Sequence, residues 1–294
     1  MWHHQFIETN RIRLHCVIQG DGPLVVLLHG FPEFWYSWRY QIPALAQHFR
    51  VVVPDLRGYN DSDKPDSGYD LATLTADIQG LVQTLGYGRA HVIGHDWGGA
   101  IAWNFAQQFP QSLERLAILS APHPQRFLPY LASNLDQLQR SWYLFAFQIP
   151  GLPEWLIQNN LPEFVRSVFR GLAVRKGVFT QENAQMYEAA LQKPGAIGAA
   201  LNYYRQFLSP MTWIKGWGAD PRLITAPTLV LWGDEDAVLS RSLAEDLRKA
   251  VIASFQLKFV PNCGHWIQQE APQTVNRELL AFLLSSTATN ASQV

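Results

Sequence analysis

Two cysteines in 294 residues, Cys16 and Cys263, are too few for a disulfide framework, and they form no metal-ligand spacing. A single bridge between them is conceivable but disfavoured in a reducing compartment. Nine histidines are present, yet no His-Glu-x-x-His run occurs and the adjacent pair His3-His4 stands at the chain terminus, so no metal is expected. Charge of either sign is also in short supply. Lys plus Arg (23) against Asp plus Glu (24) leaves a net charge of -1, with no basic run longer than a pair such as Arg248-Lys249. Nucleic acid is therefore not an expected partner. No stretch of about 18 apolar residues could cross a bilayer, so no membrane partner is expected. "MWHHQFIETN" lacks the basic start and apolar run of a secretory signal, which makes a soluble, cytoplasmic protein the expectation. No internal repeat stands out, and no tract is biased enough to suggest disorder.

What is present is a globular composition, 48% hydrophobic and 16% charged, on a chain long enough for two domains, or for one α/β domain carrying a large insertion. Short apolar runs recur: "PLVVLLHG" (23–30), "FRVVVPDLRG" (49–58), "RAHVIGHDWGG" (89–99), "RLAILSAP" (115–122), "APTLVLWGDED" (226–236) and "FQLKFVPNCGHW" (255–266). Read as strands buried on both faces, they predict a mostly parallel sheet. "DLATLTADIQGLVQTLG" (70–86) places Leu71, Leu74, Ile78, Leu81, Val82 and Leu85 at helical spacing and ends on a glycine stop signal. Strand-helix-strand alternation of this kind is an open α/β sheet. Upstream, "RIRLHCVIQG" alternates Ile12, Leu14, Cys16 and Ile18 as a half-exposed antiparallel edge strand would. From 123 to 220 strand-like runs cease, and amphipathic segments with Trp142, Trp155, Trp213 and Trp217 take over. The expected division is a core of residues 1–122 and 221–294 with a helical lid at 123–220.

The stretch "GHDWGG" (94–99) has the outline of a nucleophile elbow, Gly-x-Ser-x-Gly, with Asp96 in the serine's place. Such a turn needs small residues around its tip because larger side chains would collide with neighbouring backbone, and Gly94, Gly98 and Gly99 supply them between the strand-like "HVI" and the helix-like "AIAWNFAQQF". In an elbow of this type the acid partner and the base follow the nucleophile in chain order, each on a loop after a later strand. Asp234, Glu235 and Asp236 follow one run and His265 follows the next. Taken alone, each has a bland reading as a helix cap, a solvated loop charge or a satisfied buried histidine. Together they stand in the order that the chemistry requires.

The block 29–65, "HGFPEFWYSWRYQIPALAQHFRVVVPDLRGYNDSDKP", with "GHDWGGAIAW" (94–103) and the "DED…CGHW" ending, resembles the α/β-hydrolase epoxide hydrolases of the soluble type, over about residues 5 to 285. That resemblance implies an α/β-hydrolase fold, a mostly parallel sheet flanked by helices with an inserted helical lid. It implies Asp96 as nucleophile, His265 as base and Asp236, in preference to Asp234, as acid partner. It further implies an oxyanion hole from the backbone N–H groups of Phe31 and Trp97, a cis Phe31-Pro32 bond, and two lid tyrosines as donors to the epoxide oxygen. Segment matching puts these at Tyr143 and Tyr204, with Tyr203 the adjacent alternative. His29 is read as a structural hydrogen-bonding residue.

The chemistry explains the substitution at the elbow. A serine must lose a proton before it attacks and suits an acyl carbon, whereas a carboxylate is already charged at pH 7 and can displace a leaving group from saturated carbon. The resulting ester is then hydrolysed by water activated by histidine. The expected partners are a small-molecule epoxide and water, with no cofactor. Phe34, Trp35 and Trp97 near the site point to an apolar or aryl substrate. A haloalkane dehalogenase using the same Asp96, with Trp142 or Trp155 as a second halide donor, is the alternative. Its common "HGNP" turn is absent, and Trp97 stands where fluoroacetate dehalogenases have arginine. A binding protein built on a hydrolase shell is disfavoured by the intact triad, and a serine esterase by Asp96 itself.

Overall fold

A computed structural model describes residues 2–210 and 222–285. Eight strands form one sheet: β1 (His3–Thr9), β2 (Ile12–Gln19), β3 (Leu24–Leu28), β4 (Arg50–Pro54), β5 (Ala90–His95), β6 (Leu113–Leu119), β7 (Thr228–Gly233) and β8 (Phe255–Val260). Their order is β1-β2-β4-β3-β5-β6-β7-β8. From β4 onward every neighbouring pair is parallel, while β1 pairs antiparallel with β2 and β2 with β4. The uninterrupted apolar runs become the central strands, and β3, β5 and β7 are buried at every position.

Two expectations about the sheet margins need correction. The segment "RIRLHCVIQG" is antiparallel but is not an edge, because β1 pairs along it from His3–Ile18 to Thr9–Ile12 through a two-residue turn in which Asn10 and Arg11 both take positive φ (43° and 64°). With β1 covering it, β2 is mostly buried. The edge is β1, whose polar "HHQ" start carries no strand-like run. At the other margin β8 is not buried on both faces. Its burial alternates, as expected of the last strand of a sheet with one face toward solvent.

Apolar layers cover both faces of the sheet. The helices Leu71–Thr84 and Trp97–Gln108 pack together on one face, and Gln41–Leu45 and Pro272–Leu284 pack together on the other. The first of these begins as its sequence dictates: Asp70 caps it by accepting the Thr73 N–H at 3.0 Å, and Gly86 beyond its end takes φ 83°. Between β6 and β7 no strand occurs among the described residues. The chain runs through the helices Pro124–Ser133, Leu135–Arg140, Tyr143–Ala146, Leu152–Asn159, Leu161–Val165, Gln181–Leu191 and Ala196–Phe207, then returns to complete the sheet. Trp213, Trp217 and the expected boundary at 220/221 lie outside the described residues. Cys16 and Cys263 are both buried free thiols.

Candidate active site

The strands β3, β5, β7 and β8 run parallel, so the loops after them open at one edge of the sheet, where open α/β sheets place their sites. The tightest of these follows β5. The helix Trp97–Gln108 begins two residues after His95, leaving Asp96 alone to reverse the chain at φ 51°, ψ -119°, a conformation rare for a residue with a side chain. A Cβ on Gly94 would lie 2.2 Å from the Gly98 carbonyl oxygen, and one on Gly98 would lie 2.2 Å from that of Leu28. The elbow therefore closes only with glycine at both positions.

Asp96 meets groups from two other loops. Its Oδ1 accepts the Phe31 N–H at 2.8 Å, from the turn after β3, where Phe31-Pro32 is cis. Its Oδ2 lies 3.6 Å from His265 Nε2. His265 Nδ1 in turn is 2.8 Å from Asp236 Oδ2, and Asp236 Oδ1 accepts the backbone N–H groups of Val238 and Leu239 at 2.8 and 2.9 Å. Asp236 is buried, while Asp234 and Glu235 are exposed and Asp234 pairs with Arg241, so Asp236 is the carboxylate that reaches the imidazole. Trp97 opens the elbow helix, and its N–H is one of those a helix leaves without an intrahelical acceptor.

Above the carboxylate the helical insertion contributes two tyrosines. Tyr143 and Tyr204 meet edge to face at 5.8 Å between centroids. Tyr204 also contacts the rings of Phe31, Trp97 and Phe147, each at 5.1 Å. The neighbouring Tyr203 is otherwise engaged: it is fully buried and its hydroxyl donates to the Arg57 carbonyl at 2.7 Å. Helical geometry turns adjacent residues about 100° apart, so only one of the two can face the nucleophile. Phe34 and Trp35 do not join this aromatic enclosure. Their ring contacts run to Tyr36 and Tyr187 and to Trp2 and His4, and neither touches the rings of Phe31, Trp97, Tyr143 or Tyr204. Trp142 and Trp155, considered as halide donors, are 67% and 60% exposed on the outside of the insertion, a placement that withdraws them from Asp96.

Electrostatics separates the groups further. Burial opposes a charge on His265, but the Asp236 and Asp96 carboxylates outweigh it and raise the imidazole to about 10. Burial also works against ionised Asp96, yet the nearby charge of His265, with the Phe31 N–H, holds it below the usual carboxylate range. Tyr143 and Tyr204 are pushed far up by burial and by the negative charge of Asp96, so both keep their protons at neutral pH.

A layer of residues that the motif reading missed lies behind these groups. Glu33, buried, accepts the Gly30 N–H at 3.0 Å and faces His95 Nδ1 at 2.9 Å through Oε2, and through Oε1 it accepts Gln268 Nε2 at 3.0 Å and Gln269 Nε2 at 2.8 Å. The signal was there to be read: a glutamate two residues after Phe31 and a histidine just before Asp96, both in segments otherwise destined for burial. His29 is structural, with Nε2 accepting the Leu56 N–H at 2.9 Å and Nδ1 donating to the Gly30 carbonyl at 2.9 Å. Among the described residues one group has metal-ligand donor types, His15, Asp55 and Asp61. Its members already bond within the protein, His15 Nδ1 to Asp55 at 2.6 Å and Asn60 Nδ2 to the same carboxylate oxygen at 2.7 Å.

This arrangement agrees with comparisons against known proteins. Residues 23–272 match the family model described as alpha/beta hydrolase fold. The chain is 38% identical over 289 residues to Epoxide hydrolase 4 of Mus musculus, covering 96% of this chain and 79% of that one. It is 41% identical over 285 residues to the AB hydrolase superfamily protein YfhM of Bacillus subtilis, covering 95% and 97%. Among solved structures, Epoxide Hydrolase A from Mycobacterium thermoresistibile superposes with a TM-score of 0.84 at 32% identity, covering 96% of this chain and 98% of that one. A Bacillus megaterium epoxide hydrolase bound to an inhibitor superposes with a TM-score of 0.87 at 29% identity, covering 96% and 100%. An Asp-tipped elbow, a histidine and carboxylate after the last two strands, and relatives matched along nearly the whole of this chain lead to one assignment: the chain belongs to the α/β-hydrolase fold family, in its epoxide hydrolase branch.

Proposed function

We propose that this protein opens an apolar or aryl epoxide to a vicinal diol through a covalent ester of Asp96, with the insertion acting as a lid. The observation that carries the reading is the division of labour at the Asp96 carboxylate. One oxygen is held by the Phe31 N–H at 2.8 Å, the other lies 3.6 Å from His265, and the charge of Asp96 reaches both Tyr143 and Tyr204. The free oxygen attacks an epoxide carbon, the carbon–oxygen ring bond breaks, and the alkoxide takes a proton from Tyr143 or Tyr204. Esterification removes the negative charge of Asp96, and with it one of the two carboxylates that hold the proton on His265. His265 gives up that proton, which restores the tyrosine, and becomes able to act as a base.

In the second step His265 draws a proton from water as the water attacks the ester carbonyl. The developing oxyanion is held by the Phe31 and Trp97 N–H groups, and the carbon–oxygen bond to the diol breaks as the departing alkoxide takes the second proton of the attacking water. Asp96 and protonated His265 are regenerated, so the sum is epoxide plus water to diol. The aromatic enclosure of Phe31, Trp97, Phe147, Tyr143 and Tyr204 favours apolar surface, which supports an aryl or alkyl epoxide over a charged one.

The test is intact mass of His265→Ala after exposure to styrene oxide. The mass should rise by the whole epoxide and the gain should vanish when Asp96 is also replaced. A variant that takes up a bromoalkane with loss of HBr, but never the epoxide, would move the assignment to a dehalogenase. Tyr143→Phe/Tyr204→Phe should slow ester formation by two to four orders of magnitude, roughly what positioned acids contribute, as read by single-turnover quench; ring opening at the parent rate would remove the tyrosines from the mechanism.

A further inference from the structure

The loop that carries Asp236 is gripped from two sides. Asp236 itself satisfies two of the loop's backbone donors, the N–H groups of Val238 and Leu239, through Oδ1. Further backbone groups are satisfied by the helix Leu135–Arg140 of the insertion. Gln137, fully buried, donates Nε2 to the Val238 carbonyl at 3.0 Å and accepts the Ser240 N–H on Oε1 at 2.8 Å. Its amide thus pairs with a carbonyl and an N–H of the same loop, as a peptide of a neighbouring strand would. Arg140 donates Nη1 to the Asp236 carbonyl at 2.9 Å, and Asp136, one turn earlier, steers the guanidinium by accepting Nε at 2.8 Å. We propose that Gln137 and Arg140 lock the acid loop to the insertion, so that one segment, residues 137–143, both seats Asp236 against His265 and places Tyr143.

The link to Tyr143 is short. Gln137 Nε2 also donates to Ser141 Oγ at 2.9 Å, and the Ser141 N–H returns to the Gln137 carbonyl at 2.9 Å. The Ser141 carbonyl then accepts the Leu144 N–H at 3.0 Å, in the first turn of the helix Tyr143–Ala146. Both hydrogens of the Gln137 amide are therefore committed, one to the acid loop and one to the segment that leads to the tyrosine. Arg140 grips the acid loop only. The two residues separate the two steps of the reaction: Arg140 bears on hydrolysis through Asp236, and Gln137 bears on ring opening as well. Both are positioning residues, since neither bonds to Asp96 or to His265.

This inference rests on the proposed ester mechanism for its kinetic part, but the seating of Asp236 can be read without it. His265 faces the carboxylates of Asp236 and Asp96 and the ring of His95 at 4.9 Å, with Arg140 behind the Asp236 carbonyl. In ¹⁵N-histidine-labelled resting protein, the His265 signals, assigned by their absence from His265→Gln, should titrate near 10. In Gln137→Leu and Arg140→Met they should titrate about one pH unit or more lower, because a displaced Asp236 supports the imidazolium less. Loss of the Arg140 charge by itself would raise the value, so a fall reads position. Arg140→Lys keeps a donor for the Asp236 carbonyl and should restore the parent titration. In single turnovers of styrene oxide, Arg140→Met should slow ester hydrolysis about tenfold and ester formation less than about twofold, whereas Gln137→Leu should slow both about tenfold or more. A parent-like His265 titration in both variants would overturn the lock, and equal slowing of the two steps in Arg140→Met would overturn the division between the residues. If no ester forms even in the parent protein, the ester mechanism fails, and the titration still decides the lock.

Discussion

His265 is the residue on which the proposed chemistry and the stability of the site both turn. Asp236 orients its imidazole and stabilises its charged form, and Asp236 is itself fixed by two backbone N–H groups. Asp236→Asn should therefore slow ester hydrolysis by about two orders of magnitude or more and ester formation much less, as read by quenched single turnovers. Equal slowing of both steps would indicate a displaced loop instead. The raised proton affinity also has a consequence for folding. His265 titrates near 10 in the folded protein against 6.5 in an unfolded one, so its contribution to stability is full below pH 6.5 and is lost as pH rises through about 10. The difference in Tm between parent and His265→Gln should accordingly narrow from pH 6.5 to 10. A gap that stays constant over that window would remove the stabilising charge.

At the scale of the element, the elbow is a strand and a helix forced into contact. The closeness of the helix Trp97–Gln108 to the end of β3 is what lets Asp96 reach the Phe31 N–H. The contact at Gly98 is with the Leu28 carbonyl and not with a flexible side chain, so no rotamer change can make room. Gly98→Ala should cost about 2–4 kcal/mol in urea unfolding and abolish turnover, because the clash pushes the helix away from β3. The tyrosine pair depends on an element in a different way. Tyr203 and Tyr204 are adjacent in the helix Ala196–Phe207, and the hydrogen bond of Tyr203 to the Arg57 carbonyl sets the rotation that turns Tyr204 toward Asp96.

At the scale of the molecule, Arg57 links the insertion to the sheet. Its guanidinium makes two 2.7 Å bonds to Asp77 on the helix Leu71–Thr84, its carbonyl receives Tyr203 from the insertion, and its backbone follows β4. Arg57→Met leaves Asp77 buried without its cation and should cost about 3–5 kcal/mol in denaturant unfolding. If the loss is below 1 kcal/mol, water reaches Asp77 and the pair is not holding the layers together.

The amino-acid sequence by itself determined the class of sheet, the position of the elbow and the chain order of Asp96, the acidic cluster at 234–236 and His265. These depend on local pattern: runs of β-branched residues, glycines around one aspartate, and polar residues just after apolar runs. It also marked the insertion, where strand-like runs cease. What only the tertiary structure decided were choices between neighbours and partnerships across the fold. Asp236 beside His265 in place of Asp234 follows from burial, the different surroundings of Tyr203 and Tyr204 from helix rotation, the placement of Phe34 and Trp35 outside the enclosure from the directions in which their rings pack, and that of Trp142 and Trp155 from their exposure. Glu33 and His95 lie 62 positions apart in the chain, and nothing local to either announces the other. Such contacts arise when the sheet places β3 beside β5, and side-chain direction and long-range pairing have no signature in a one-dimensional pattern.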